Sequence, residues 1–324
     1  MNRREIIASG ALLAGGALTG TASAQSAEER DVVDRQTQVP PVWRMKLGNR
    51  TITVVSDGYV PFEDWHTPNI PAEEREALLA DQFLPTDVYQ GSVNSFIIED
   101  ESGITLIDGG TGELLGPPTG HLVNNMRAAG FAPEDVTTVL ATHLHPDHVG
   151  GIYTNEGNAV FPNAELVVSE EDHRFWTDAG AQAQAPEPAR FLWDIAGSAL
   201  GAYAGRVRRF EGTSDVLPGV TPVPLPGHTP GQTGFQLSEG DDTLLIWADL
   251  IHVAPIQLKR PEVVFAFDTD PDLGAATRHR VLDMAAVEGL HIAGMHLPFP
   301  GTGHIVSAEE GYELIPSRWN YDLS

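Results

Sequence analysis

A cluster of metal-ligating side chains constrains this chain more than any other feature of its sequence. The strand predicted over Val136–Ala141 leads into the run THLHPDHVGG, which contains His143, His145, Asp147 and His148. In an extended loop, residues two positions apart project to the same side, so His143 and His145 lie side by side. Asp147 and His148 follow the proline and can face a second centre. The spacing therefore predicts a metal site with imidazole and carboxylate ligands.

The composition narrows the possible ligands and partners. The chain has no cysteine, which excludes thiolate metal sites, disulfides and cysteine nucleophiles. Its 19 Lys and Arg against 45 Asp and Glu give a net charge of −26, and its one basic cluster is the short run 206–209. Nucleic acid and anionic membranes are bound by clustered cations, so neither is an expected partner.

Three further ligand-type residues follow predicted strands later in the chain. They are His228, Asp249 and His296. Asp249 comes just after the apolar run Thr243–Trp247, where a buried carboxylate is costly unless it binds a cation. Each of these residues alone is as easily structural as functional, but as an ordered set they predict the remaining metal ligands.

Residues 1–24 are expected to be a twin-arginine-type signal peptide. Arg3-Arg4 precedes a short apolar stretch, and Ala22-Ser23-Ala24 is a small-residue cleavage site. Residues 25–42 are interpreted as a linker, and residues 43–324 as the folded domain. The expected location is therefore periplasmic or secreted.

The remaining chain alternates short β-rich runs with helical ones, which predicts an α/β layered domain. A strand is predicted over Arg50–Ser56, ending in a turn at Asp57-Gly58. A helix is predicted over Ala72–Asp81 after a proline, and a long helical segment over Glu170–Ala204.

The ordered ligands resemble the signature of the metallo-β-lactamase fold superfamily, over essentially all of residues 43–324. The resemblance implies a four-layer αββα sandwich with the metals at one edge. It also implies the distribution of the ligands: His143, His145 and His228 on one metal, Asp147, His148 and His296 on the other, and Asp249 bridging both. A cysteine at the bridging position would favour a true β-lactamase, and this chain has none.

Shorter stretches are similar to the methyl parathion hydrolase group and its lactonase and arylesterase relatives. They read WRMKLG (43–48), LIDGG (106–110), LGP (115–117), FPNA (161–164) and PFPGTGHI (298–305). By this resemblance Asp108 stands behind the metal loop as a hydrogen-bond acceptor. The resemblance also implies a substrate pocket formed by Leu115, Trp176, Phe191, Leu192, His252 and Phe267. The alternative for each aromatic residue is that it only packs the helical insertion onto the sandwich.

The function expected from this pattern is hydrolysis by two divalent ions, which activate a bridging hydroxide and make a serine or cysteine nucleophile unnecessary. Asp147 and Asp249 are the expected catalytic carboxylates, with Asp147 passing a proton to the leaving group. His252 and Phe267 favour a lactone or aryl ester as substrate. Leu115 stands where phosphotriester hydrolases commonly have an aromatic residue, so triester cleavage is expected as a secondary activity.

Two alternatives remain open from the sequence. One is an organophosphate hydrolase of the methyl parathion type, and the other is a metal-binding protein without catalytic activity. Zinc is the expected metal, although manganese, iron and cobalt suit the same ligands. Analogy with the family also makes a homodimer plausible.

Overall fold

Two β-sheets position the functional loops. The computed structural model describes residues 38–323, so the predicted signal peptide and most of the predicted linker lie outside the described residues. The first sheet has seven strands in sequential order, antiparallel from β1 to β4 and parallel from β4 to β7. Its strands are β1 Val42–Leu47, β2 Arg50–Phe62, β3 Tyr89–Asp100, β4 Gly103–Ile107, β5 Val136–Leu140, β6 Glu165–Ser169 and β7 Val207–Phe210.

The second sheet has six strands in the order β13-β12-β11-β10-β9-β8. The pair β10 and β11 is parallel, and its other pairs are antiparallel. Its strands are β8 Val220–Pro224, β9 Thr233–Glu239, β10 Asp242–Ile246, β11 His291–Ala293, β12 Thr302–Ser307 and β13 Tyr312–Pro316.

Helices cover the outer faces of both sheets. They are α1 Ala72–Asp81, α2 Leu122–Ala128, α3 Pro146–Val149, α4 Glu170–Thr177, α5 Ala179–Gln184, α6 Phe191–Ala202, α7 Ala254–Gln257 and α8 Pro271–Glu288. None of the helices in the described part of the chain is long and apolar enough to cross a membrane.

Alternating apolar residues on the strands build the layers, because neighbouring side chains on a strand point to opposite faces. Leu106 belongs to the core beneath the helices of the first sheet, whereas Ile107 belongs to the core between the two sheets. Val139 and Leu140 divide in the same way. A third core lies under α8 on the outer face of the second sheet. The predicted αββα sandwich is therefore confirmed, and the described residues from 39 onward form one compact unit.

Three details differ from the sequence-based expectations. The strand predicted to end at Ser56 continues to Phe62, because Asp57 and Gly58 form a β-bulge instead of a turn. The helical segment predicted over 170–204 divides into α4, α5 and α6, interrupted at Asp178 and at Pro186. Val42, assigned to the linker, already pairs with Val55 in the first sheet. The helix predicted over Ala72–Asp81 has those bounds in the structure.

The ends of β4, β5, β10 and β11 meet at one edge of the sandwich. Each of these strands runs directly into a loop that carries a predicted site residue. Since β4 and β5 are parallel, and β10 and β11 are parallel, their carboxyl ends lie side by side. The topology therefore gathers residues from distant parts of the sequence into one place.

Candidate metal centre

The histidine-rich loop follows β5 and turns at once into the short helix α3. Pro146 occupies the first turn of α3, where its missing N–H leaves no helical bond unmade. Gly151 allows the loop to pack tightly, because a Cβ atom there would lie 2.1 Å from the carbonyl oxygen of Gly109. The backbone thus fixes the directions of the three histidines in the loop.

The structure brings all seven predicted ligands together. One set comprises His143, His145 and His228, and the other comprises Asp147, His148, Asp249 and His296. Within each set the ligand atoms lie within 4.8 Å of one another. The Oδ2 atom of Asp249 lies 3.2 Å from Nε2 of His148 and 3.4 Å from Nε2 of His228. This carboxylate therefore stands between the two sets, at the position predicted for a bridging ligand.

Several buried atoms of these sets need a partner that the protein does not supply. Nε2 of His143, His145 and His148 and Oδ1 of Asp249 are buried without a hydrogen bond. A buried polar atom without a partner costs about 1–3 kcal/mol. Four such atoms facing one small volume fit a site for divalent cations, and the imidazole and carboxylate donors suit zinc and similar ions.

Oxygen acceptors behind the ligands orient three of the imidazoles. Nδ1 of His148 lies 2.7 Å from Asp108, Nδ1 of His228 lies 2.9 Å from Asp268, and Nδ1 of His296 lies 2.7 Å from the carbonyl oxygen of Ser92. An acceptor at one ring nitrogen directs the other toward the metal. Asp108 also accepts bonds from the amide and hydroxyl of Thr142, as expected for a residue behind the metal loop.

The electrostatics of the two sets differ. Burial lowers the pKa of His143 and His145 well below the usual range, so both stay neutral and keep a free lone pair for a metal. Burial also disfavours the charged form of His296, but Asp249 and Asp147 raise its pKa to about 10. The carboxylates in the second set thus stabilise positive charge at a place where a divalent ion would supply it.

A cavity of about 290 Å³ opens onto both ligand sets. Five of the predicted pocket residues line it: Leu115, Phe191, Leu192, His252 and Phe267. Trp176 does not line it, which corrects that prediction. Its indole lies behind His145, at 5.3 Å between ring centres, and donates a hydrogen bond to the buried carboxylate of Asp172. Trp176 therefore supports a ligand and makes no contact with the cavity.

His252 lies closer to the ligands than a pocket residue needs to be. Its Nε2 is 3.1 Å from Oδ2 of Asp249, and it forms a third ligand-type group with Asp249 and His228. Burial lowers the pKa of His252 to about 3. It therefore presents a neutral imidazole at the boundary between the ligands and the cavity.

Four aromatic lining residues were absent from the sequence-based pocket: Phe62, Trp65, His66 and Phe265. His66 stacks on Trp65 with ring centres 3.6 Å apart and on Phe265 at 5.6 Å. The alternation of aromatic residues in the sequence VFAF (264–267) could have indicated that Phe265 accompanies Phe267. No local signal connects the segment 62–66 with the site, because the sheet topology brings it there.

Known proteins share both the sequence pattern and the fold. An N-acyl homoserine lactonase from a Bacillus species is 24% identical over 253 residues, covering 72% of this chain and 88% of that protein. The solved structure of AidC, a dizinc quorum-quenching lactonase in complex with a product, has 28% identity and a TM-score of 0.82. It covers 87% of this chain and 99% of AidC. The hydrolase AbOPH has 31% identity and a TM-score of 0.82, with 88% of this chain and all of AbOPH covered.

The family model described as the metallo-beta-lactamase superfamily matches residues 88–296. This range includes the whole ligand set, from the loop after β5 to His296. Because the match spans more than half of the sequence, the chain belongs to the metallo-beta-lactamase superfamily.

Proposed function

We propose that this protein is a dinuclear metal-dependent hydrolase that opens lactones. The observation that carries the proposal is the lining of the cavity beside the two ligand sets. Its walls are aromatic and aliphatic, and no lysine or arginine of the described residues lines it. A cavity of this kind accepts a neutral, partly apolar substrate such as an acyl lactone and offers no cation for a phosphate monoester.

The relatives support the same substrate class. The Bacillus relative is named an N-acyl homoserine lactonase, and AidC is described as a dizinc lactonase. We therefore propose zinc for both positions. His143, His145 and His228 would hold one ion, and Asp147, His148 and His296 would hold the other, with Asp249 between them. When bound, such ions supply Lewis acidity and lower the pKa of water, which makes a protein nucleophile unnecessary.

The protein's own groups have distinct roles in this proposal. The aromatic walls bind and desolvate the substrate, and the buried ligand sets place its reacting carbonyl at the floor of the cavity. Asp147 lines that floor, with its side chain 18% exposed, and its Oδ2 lies 3.3 Å from Nε2 of His296. Burial opposes its charge, but His148 and His296 hold its pKa well below the usual range. Asp147 is thus ionised but weakly basic, and it is its position on the cavity floor that would let it take up the proton of the attacking water and pass it to the leaving alkoxide.

Aryl esters and phosphotriesters are the second candidate substrates. They are neutral and apolar, and the half-exposed Leu115 and Phe191 leave the cavity mouth open to flat leaving groups. We propose these as secondary activities, because two of the three relatives described above are named lactonases and the third, AbOPH, is described only as a hydrolase. We also propose export by the twin-arginine route to the periplasm or beyond, on the sequence of residues 1–24.

A substrate panel on one zinc-loaded preparation tests the proposal. The panel comprises an N-acyl homoserine lactone, dihydrocoumarin, 4-nitrophenyl acetate and methyl paraoxon. A lactone is expected to give the highest kcat/KM. A preparation that cleaves the triester far faster than any lactone or ester would assign the protein to the organophosphate hydrolases. If the protein binds zinc but cleaves none of the four substrates, the result would favour a metal-binding protein without catalytic activity.

A further inference from the structure

Asp172 is a buried carboxylate that lies outside the substrate cavity and outside both ligand sets. It belongs to the first turn of α4 and is completely shielded from solvent. The helix does not use this side chain as a cap, because the hydroxyl of Ser169 already accepts the bond from the Asp172 amide. The carboxylate is therefore free to bind groups from other parts of the chain.

Four donors converge on this carboxylate, two at each oxygen. Oδ2 accepts bonds from the amide of Leu144 at 2.9 Å and the indole N–H of Trp176 at 3.1 Å. Oδ1 accepts bonds from the hydroxyl of Thr229 at 2.6 Å and the amide of Gly231 at 3.2 Å. The described residues supply no ion pair to this carboxylate, so these donors alone compensate for its burial.

Three of the four donors come from the two loops that carry the first ligand set, and the fourth, Trp176, lies on α4 itself. Leu144 lies between His143 and His145, in the loop of the first sheet. Thr229 directly follows His228, in the loop of the second sheet. Nδ1 of His145 and Nε2 of His228 lie only 2.9 Å apart, so the two loops must be held at a close and fixed distance. Asp172 bonds to both loops at once, through Leu144 on one and through Thr229 and Gly231 on the other, and the amide of Thr233 joins them directly by its bond to the carbonyl oxygen of Thr142.

The chemistry of the contact selects a carboxylate. All four partners donate hydrogen bonds, and an ionised aspartate is an acceptor at both oxygens. Asparagine has the same shape but, in either orientation, would turn an amide N–H₂ toward a backbone N–H that can only donate, that of Leu144 or that of Gly231. Replacing Asp172 with asparagine therefore removes a backbone bond to one loop without changing the volume of the side chain.

We propose that Asp172 is a positioning residue that clamps the two ligand loops together and so sets the affinity of the first ligand set for its ion. The inference rests on the proposed function, in which the set His143, His145 and His228 binds zinc. The second set receives no bond from Asp172, so its affinity is expected to be independent of this residue. Hydrogen-bonding partners behind metal ligands typically contribute 10- to 100-fold to affinity.

Zinc titration of the metal-free protein tests the proposal. We compare the wild-type chain with Asp172→Asn and with the matched control Glu171→Gln, whose exposed side chain pairs with Arg174 in the same helix. Wild type and control are expected to bind two zinc ions. Asp172→Asn is expected to keep one site unchanged and to lose 10- to 100-fold in affinity at the other. Circular dichroism checks that each variant is folded.

Two more variants make the result specific. Thr229→Val removes one loop contact and keeps the carboxylate, so a smaller but equally selective loss is expected even if Asp172→Asn does not fold. His296→Ala removes a ligand of the second set, and adding Asp172→Asn to it is expected to weaken the remaining ion. Two unchanged zinc affinities in Asp172→Asn and Thr229→Val would overturn the inference, as would equal losses at both sites. A wild-type chain that binds no zinc would instead overturn the proposed function, and this inference with it.

Discussion

Replacing Arg278 with methionine is expected to destabilise the fold strongly, although this residue does not line the cavity. Its guanidinium, on α8, is 2% exposed. It donates hydrogen bonds to the carbonyl oxygens of Leu250 at 2.7 Å and of Pro261 and Val263 at 2.8 Å. It also faces Asp268, 3.8 Å away, which in turn orients the ligand His228.

The size of the effect follows from these contacts. A hydrogen bond to a charged group contributes about 1.5–3 kcal/mol, and methionine takes away the donor of the buried carbonyls of Leu250 and Pro261. The carbonyl of Val263 keeps its bond from Gln257, and Asp268 keeps its bonds from His228 and Phe265 but loses its charge partner. Water entering the vacated space restores part of this loss. Breaking a buried charge pair by removing one partner typically costs about 3–5 kcal/mol, so we expect Arg278→Met to lower the free energy of unfolding by about 4 kcal/mol. Arg278→Lys keeps the charge but cannot reach all the acceptors, and about half that loss is expected.

Urea unfolding at a fixed excess of zinc, followed by tryptophan fluorescence, measures the change. Arg280→Met is the matched control, because Arg280 lies on the same helix with an exposed side chain and one long contact of 3.4 Å to a carbonyl. The control is expected to stay within about 0.5 kcal/mol of wild type. An Arg278→Met variant within 1 kcal/mol of wild type at an unchanged m-value would refute the reasoning.

Three further predictions concern the cavity and its ligands. Burial lowers the pKa of His66, whose Nδ1 accepts a hydrogen bond from the amide of Glu63. Acidification therefore protonates this imidazole in the unfolded chain before it does so in the folded one, which favours unfolding. Between pH 7.5 and 5.5 the Tm of wild type should fall more than that of His66→Gln. Phe191→Ala at the cavity mouth should lower kcat/KM about fivefold for long-chain acyl lactones and little for short ones, because about 1 kcal/mol of apolar contact with the longer chain is lost. The control is Phe83→Ala, at a fully exposed residue outside the cavity, which should leave kcat/KM unchanged for both kinds of lactone. Asp249→Ala should remove lactone turnover and leave the circular dichroism spectrum unchanged.

The candidate ligands could be selected from the sequence because their chemistry is unusual and their order matches the superfamily pattern, and the structure brings them together. Four of them lie within six residues after one strand, and a surface loop has no other need for that combination. His228, Asp249 and His296 followed from a simpler rule, since polar residues at the ends of apolar strands meet at one edge of a layered sheet. The αββα architecture came from the resemblance to the superfamily, and the alternating buried residues of β4 and β5 account for it physically.

The rest depended on long-range packing that no local pattern encodes. Trp176 was predicted to contact substrate, but an indole N–H needs an acceptor when buried, and Asp172 supplies one behind the ligands. Phe62 and His66 reach the cavity because β2 continues past its bulge, where a turn was predicted. Arg278 looks like an ordinary charged helix residue in the sequence, and only its three carbonyl partners reveal its role.

The most direct test of the central claim is the rate of ring opening of an acyl homoserine lactone as zinc is added to metal-free protein, with bound zinc per chain measured on the same samples. The account predicts no ring opening without metal and a rate that rises to its maximum as bound zinc approaches two ions per chain. Full activity in metal-free protein would contradict the account, and so would a chain that holds two zinc ions and opens no lactone.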